Sequence, residues 1–501
     1  MKYATKLASF LLALVMVFAL TSTAFAVEDT TISAPAGSTR TYAVYQIFTG
    51  DLSGNVLSNV KWGKNGTGTE GTAVDQTIID ALAAVNSSSD TAKLAEIKKY
   101  VNLDSDAIGE VSDGNPLTVP TGYYLIQDNG PVGEGGAYSL YVVKVVGPTT
   151  ISPKVAQVTS EKKVIDTNDT TGTSAGLQDS ADYDIGDAVP FQLKGVVAAD
   201  YANYTVYQFT FHDTQSSGLN FNQGSVVVKV DGTAIDSGYS VVTTGLTDGC
   251  TFEVRFADLK QIASVRAGSV ITVDYTSTLN ENAVIGSAGN PNTMCLEYSN
   301  NPNDTQGTTT GKTPADTVIV FTYKAVINKV TKNPAYNPDT AGSQEYIPLT
   351  GAAFKLEKQI KGADGAEDTW QLVKEFTVDA QNPASAFEFT GLDDGNYRLT
   401  ETVTPGGYNS ITPIVFTVEA VHTDGDTPAL TALTGNKVSG EITFTSSVSD
   451  ASLSADVVNN AGTTLPETGG IGTTIFYALG GLLVLTALVL LVTRKRMGTK
   501  G

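Results

Sequence analysis

Short runs rich in Val, Thr, Tyr, Phe and Ile, cut at close intervals by Gly, Asn, Asp and Pro, leave most of this chain one way to fold: as strands joined by turns. Residues 204–211, 225–230, 270–275 and 411–418 are examples. Such strands cannot stand alone and must stack as sheets, so the chain is expected to be mainly β, a tandem array of immunoglobulin-like β-sandwiches. The clearest helical stretches are 74–85 and 89–101. A length of 501 residues exceeds what one core holds. Boundaries near 148–158 and 314–323 give three modules, 27–154, 155–320 and 321–463, with linkers too short to be floppy.

Composition removes several functions. With 31 basic against 52 acidic residues and a net charge of -21, the chain lacks the clustered cations that neutralise phosphate, so no nucleic-acid partner is expected. His212 and His422 are the only histidines, and Cys250 and Cys295 the only cysteines. Histidine-based catalysis, a disulfide framework and a four-thiolate zinc site are therefore excluded. Neither a cofactor nor a metal is expected.

Both ends carry addresses. Lys2 and Lys6, an apolar run over 7–20 and the small-residue site Ala24-Phe25-Ala26 describe a signal peptide, 1–26, and hence export. Residues 475–492 are apolar and long enough to cross a bilayer once, and Arg494, Lys495 and Arg496 follow on the cytoplasmic side. Before this span stands Leu465-Pro466-Glu467-Thr468-Gly469. Pro466 favours an extended segment, and Gly469 has no side chain to obstruct the bond after Thr468. Pentapeptide, apolar helix and basic tail over 464–501 resemble the cell-wall sorting signal of Gram-positive surface proteins. That resemblance implies a sortase that attacks the Thr468 carbonyl, releases the Gly469 side and passes the acyl group to an amine.

The modules carry resemblances of their own. Tyr42-Ala43-Val44-Tyr45-Gln46-Ile47-Phe48, Leu57-Ser58-Asn59-Val60-Lys61-Trp62-Gly63 and Gly122-Tyr123-Tyr124-Leu125-Ile126 resemble the N-terminal domain of SpaA-type major pilins. In the third module, Gly351-Ala352-Ala353-Phe354-Lys355-Leu356, Phe387-Glu388-Phe389-Thr390-Gly391-Leu392 and Tyr397-Arg398-Leu399-Thr400-Glu401-Thr402, with Pro405, Gly407 and Tyr408, resemble a collagen-adhesin B-type domain. Its last segment is similar to the family's E-box, whose glutamate helps form an internal Lys-Asn isopeptide bond.

Period-two alternation decides which polar residues turn inward. Tyr397, Leu399 and Glu401 share a face, as do Ile327 with Lys329 and Leu453, Ala455 and Val457 with Asn459. Burial disfavours charge on both lysine and carboxyl, leaving an amine nucleophile and a neutral proton donor. First and last strands are neighbours in the family, so the expected triad is Lys329, Asn459 and Glu401, with Asn460 the lesser choice. In the second module Thr205, Tyr207, Phe209, Phe211 and Asp213 alternate onto one face. Phe209-Thr210-Phe211-His212-Asp213-Thr214 with Gly218-Leu219 resembles an A-type pilin domain in which an Asp relays the proton. Met294, Leu296, Tyr298 and Asn300 form another face, and Lys162 aligns with Val158 and Val164. The expected triad there is Lys162, Asn300 and Asp213, with Lys163 and Asn301 as register alternates. His212 falls on the opposite face and is expected to be exposed and inert.

Ile151-Ser152-Pro153-Lys154-Val155 resembles the pilin motif whose lysine attacks the acyl-sortase intermediate, although Ser152 and Val155 replace the aromatic and Asn common there. A plain linker lysine remains the alternative. Pairing of Cys250 with Cys295 stays open, and Asp166, Asn168 and Asp169 read as an Asx-rich loop before a calcium site. The expected function is the major subunit of a covalent surface pilus, a non-enzymatic sortase substrate that cross-links itself. Expected partners are a polymerising sortase, copies of itself, minor pilins, a wall-anchoring sortase with peptidoglycan, and a host-surface ligand. The rivals are a monomeric wall-anchored adhesin and, more remotely, a wall-anchored enzyme using carboxylates.

Overall fold

The computed structural model describes residues 29–462, except 55, 89, 131 and 153–156, together with 471–497. Sheets dominate, and they fall into three successive groups.

The first group centres on a sheet ordered Val56–Trp62, Tyr42–Ser53, Gly122–Asp128, Leu140–Val145. Its central strand is apolar on both faces because both faces are covered. Ala43, Tyr45 and Ile47 meet a cluster that includes Trp62 and the helical residues Ile79, Leu82, Leu94 and Ile97. Tyr42 and Val44 meet a second cluster with Ile32, Tyr124 and Ile126. The helices are Gln76–Ala84 and Asp90–Lys98, shorter than the sequence pattern suggests. Asp75 caps the first by accepting the Thr77 N–H at 2.8 Å. Val74 is held outside it as extended chain, its N–H bonded to the Val60 carbonyl at 3.0 Å.

The second group is a two-sheet sandwich. One sheet runs Thr173–Gln178, Thr159–Asn168, Ala188–Val196, Val270–Leu279, Val227–Val230, Thr233–Ile235. The other runs Ser180–Asp182, Asp316–Phe321, Asn290–Ser299, Phe209–Gln215, Phe252–Phe256, Ser240–Val242. Phe191, Leu193, Phe209, Phe211, Val273 and Leu296 fill the space between them. The strand expected over 204–211 begins only at Phe209. Ahead of it Tyr201 and Tyr204 pack edge-on against Tyr207, at 5.1 and 4.8 Å between centroids, and this aromatic packing takes the place of a longer ladder.

In the third group, Tyr346–Pro348, Tyr323–Lys332, Ser452–Val458 and Phe444–Ser447 form one sheet. Thr369–Glu375, Ala353–Ile360, Gly395–Val403, Ile414–His422 and Leu430–Ser439 form the other. Tyr323–Lys332 and Ser452–Val458 lie side by side and parallel, with Lys329 opposite Val457. A helix, Ile471–Met497, follows, and within it Ile475–Lys495 is long and apolar enough to cross a membrane.

Neither joint is a loose tether. The first group inserts the stretch around Ala137 into the core of the second. There the Tyr138 N–H donates to the Asn300 carbonyl at 2.7 Å, and Tyr298 Oη donates to the Gly136 carbonyl at 2.7 Å. Between second and third groups only the buried Thr322 separates strand Asp316–Phe321 from strand Tyr323–Lys332. Lys358 of the third group is buried there against Asp393 of its own group and against Asp184 (2.6 Å) and Asp169 (3.0 Å) of the second.

Candidate functional site

The third sandwich closes a triangle of three side chains. Lys329 sits on the first strand and is fully buried, because the alternation that turns Ala325 and Ile327 inward turns it inward too. Asn459 lies one step past the last strand, where its N–H bonds the Val330 carbonyl at 3.0 Å. Glu401 comes from the facing sheet. Lys329 Nζ donates to Asn459 Oδ1 and stands 3.0 Å from Glu401 Oε1, and Asn459 Nδ2 donates to the same Oε1 at 2.9 Å. Glu401 Oε2 is fixed by Thr404 Oγ1 at 3.0 Å and the Ile411 N–H at 3.3 Å. Phe354 covers the amine, its ring centre 5.4 Å away. Burial pushes the Lys329 amine below its ordinary pKa, against the pull of Glu401. Asn460 is exposed and takes no part.

The second sandwich assembles a related group with one member changed. Lys162 and Asp213 are both fully buried and paired, one from each sheet. Tyr275 Oη accepts from Lys162 Nζ at 2.8 Å, donates to Asp213 Oδ2 at 2.8 Å, and accepts from Asn292 Nδ2 at 2.9 Å. The amide beside the lysine is therefore that of Asn292, not Asn300. Both point inward from one strand, but Asp213 lies opposite Met294, and Asn300 stands six residues further along, roughly 20 Å at the rise of a strand. Asn300 instead ends that strand at the joint with the first group, where its amide lies over Gly311.

Desolvation lowers the pKa of Lys162 and raises those of Asp213 and Tyr275. Asp213 Oδ1 and Asn292 Oδ1 are both buried without a hydrogen-bond partner, so this group is less fully satisfied than the one in the third sandwich. The alternates face elsewhere: Lys163 pairs with Asp179 at 2.5 Å near the surface, and Asn301 caps a local turn by accepting the Asn303 N–H at 3.0 Å.

Lys154 and the pentapeptide Leu465, Pro466, Glu467, Thr468 and Gly469 lie outside the described residues, as does the leader 1–26. Cys250 and Cys295 are free thiols. His212 is only 9% exposed, because the loop carrying Asp248 folds over the sheet's outer face; the expectation of an exposed histidine fails there. Asn168 makes the expected Asx turn, accepting the Thr171 N–H at 2.8 Å, whereas Asp169 is drawn into the joint by Lys358. Neither Asn292 nor Tyr275 was singled out in the sequence. Their signal was a polar residue on an inward register, shared with Met294 in one strand and Val273 in the other.

Buried amine, carboxyl and amide in two successive sandwiches, in a chain that ends on an apolar helix with a basic tail, define a structural surface protein. Comparison with known families supports this. Residues 185–302 match the Gram-positive pilin backbone subunit 2, Cna-B-like domain. Residues 341–431 match the SpaA prealbumin-like fold domain, and 457–497 match the LPXTG cell wall anchor motif. The chain thus carries a Gram-positive pilin backbone-subunit domain, a SpaA prealbumin-like domain and an LPXTG cell wall anchor, the parts of a pilus structural subunit held at the cell wall. The second module's match is described as B-like, where its residues resembled the A type.

The trypsin-resistant surface T6 protein of Streptococcus pyogenes serotype M6 is 24% identical over 377 residues, 67% of this chain and 68% of its own. Among solved structures, the T6 backbone pilin of serotype M6 Streptococcus pyogenes is 17% identical, with 87% of this chain and 98% of that one covered and a TM-score of 0.49. The full-length major pilin SpaD from Corynebacterium diphtheriae is 16% identical, with 87% and 97% covered and a TM-score of 0.43.

Proposed function

We propose that this chain is the shaft-forming subunit of a sortase-assembled pilus, stiffened by two internal amide bonds. In each bond the neutral lysine amine attacks the Asn side-chain carbonyl carbon. The neighbouring acid takes a proton from the attacking amine and delivers it to the departing amide nitrogen, so one C–N bond forms, another breaks and ammonia leaves. Lys329, Asn459 and Glu401 serve in the third module. Lys162, Asn292 and Asp213 serve in the second, with Tyr275 Oη holding amine, amide and acid together. The triangle of Lys329, Asn459 and Glu401 carries this reading, since three buried polar groups in mutual contact are costly unless they react or are fully satisfied.

Between subunits, a sortase cleaves after Thr468 and transfers that acyl group to the Lys154 amine of the next subunit; the last subunit passes to the wall. The anchor match over 457–497 and the backbone-subunit match over 185–302 support this order of events. Lys154→Ala in the native host is expected to abolish the ladder of covalent multimers seen in denaturing gels of wall extracts. An unchanged ladder moves the linkage to another lysine, and a single band from the unaltered protein leaves a monomeric wall-anchored adhesin. Intact mass of the mature protein is expected to fall short of the sequence mass by two ammonia molecules; a full sequence mass refutes both internal bonds.

A further inference from the structure

The outer face of the second sandwich gathers donors that the cross-linking chemistry does not use. His212, Asp248, Cys250 and Glu253 each offer one ligand atom, all within 4.8 Å of one another. His212 and Glu253 are directly opposite on adjacent strands and buried, and Asp248 and Cys250 come from the loop leading into the second of those strands. We propose that these four residues bind one zinc-class divalent cation, stapling that loop to the sheet.

The spacing suits a tetrahedral ion. With metal bonds of about 2.0 Å to N or O and about 2.3 Å to S, a tetrahedron has N···O edges of about 3.3 Å and S···O edges of about 3.5 Å. Glu253 Oε1 lies 3.4 Å from His212 Nδ1 and 3.7 Å from Cys250 Sγ. Asp248 Oδ2, at 2.6 Å from Nδ1, is hydrogen-bonded now and has to withdraw by about 0.7 Å, which its place on an exposed loop permits.

The surroundings are arranged accordingly. Arg255 occupies the other oxygen of Glu253, leaving Oε1 turned to the cluster. His212 Nε2 lies 3.1 Å from Glu297 Oε2, so an imidazole that ligates through Nδ1 keeps its proton on Nε2 facing a carboxylate, the second layer that metal-bound histidines use. Lys312, 3.6 Å from Glu297 and 3.9 Å from Asp248, offsets the excess negative charge. Without an ion, burial and then Asp248 push the Cys250 thiol pKa well up. Binding displaces the thiol proton to solvent and leaves a thiolate on the metal.

The test uses the full-length protein in detergent, stripped with a chelator and titrated with zinc, then with cobalt(II) as a spectroscopic substitute. One equivalent is expected to bind, and cobalt is expected to show a thiolate charge-transfer band that Cys250→Ser abolishes. His212→Ala is expected to weaken zinc at least tenfold. Should His212→Ala fail to fold, Asp248→Asn on the exposed loop is expected to weaken zinc in the same direction. Absence of stoichiometric zinc binding, binding untouched by all three changes, or calcium binding as tightly as zinc overturns the proposal.

Discussion

The two buried groups bring together the same kinds of side chain, amine, acid and amide, and solve different geometric problems. In the third module the lysine and asparagine belong to adjacent parallel strands of one sheet, and the glutamate reaches over from the other. In the second, Lys162 projects across the core to an aspartate on the facing sheet, and a tyrosine hydroxyl joins amine to amide. Neighbours in one ladder are positioned by backbone hydrogen bonds, whereas partners on opposite sheets depend on how the sheets are staggered. A bridging hydroxyl tolerates that stagger. An amine and amide brought together within one sheet therefore need correct pairing and an acid reaching across, whereas an amine and amide on opposite sheets need a further polar group in the core to join them.

Glu401→Gln removes the acid of the third module and is expected to have one of the two largest effects. Lys329 and Asn459 are 130 residues apart, and losing a bond across a loop of that span is expected to cost about 5 kcal/mol, read as a lower melting midpoint together with the return of one ammonia in intact mass. Asn292→Ala is expected to return the other ammonia and to cost about as much, roughly 5 kcal/mol, because the loop that its bond to Lys162 closes has the same span. Asn300→Ala is its control, with the mass deficit intact and a loss below about 1 kcal/mol. If Asn300→Ala instead returns the ammonia, the assignment of Asn292 is wrong.

Tyr275→Phe keeps lysine, aspartate and asparagine and removes only the bridge. Bond formation in the second module is expected to slow by about a hundredfold, followed by mass after refolding, with the third module unaffected.

The smallest effect belongs to the joint between these modules. Burial raises the Asp166 carboxyl to about 7 and Asp394 to about 6; burial also acts most strongly on His422, lowering it, but Asp182, Asp166 and Asp424 together raise it on balance. A raised carboxyl binds protons in the folded state that the unfolded chain has already lost, so its contribution weakens as pH climbs from about 4 through about 7. His422 acts with the same sign, its contribution complete below about 6.5 and lost as pH rises through its folded value. Hydrogen-exchange protection around Thr322, taken relative to the intrinsic exchange rate at each pH, is therefore expected to be greater near pH 5 than near pH 7.5; the opposite order refutes this account.

Much of this was legible from residue order. The alternation in Tyr397, Leu399 and Glu401 and in Leu453, Ala455, Val457 and Asn459 placed the inward groups of the third module, because within a sheet the facing of each side chain is a local property. The same reasoning turned Lys162 and Asp213 inward. It could not choose along strand Asn290–Ser299, where Asn290, Asn292 and the following Asn300 all face the core, since the choice depends on the offset between two sheets. His212 escaped for a related reason: alternation gives a residue's face, and a distant loop decided whether that face was covered. The helices came out short because capping by Asp75 and the burial of Val74 override periodicity at an end.

If the proposed amide bonds join Lys162 to Asn292 and Lys329 to Asn459, and the proposed linkage joins Thr468 to Lys154, a pull along the fibre travels through residues 154–162, 292–329 and 459–468. Segments 163–291 and 330–458 would then be folded side loops bypassed by that path. Sequence there is free to drift under other pressures, surface loops above all, without changing how far the filament stretches before it snaps.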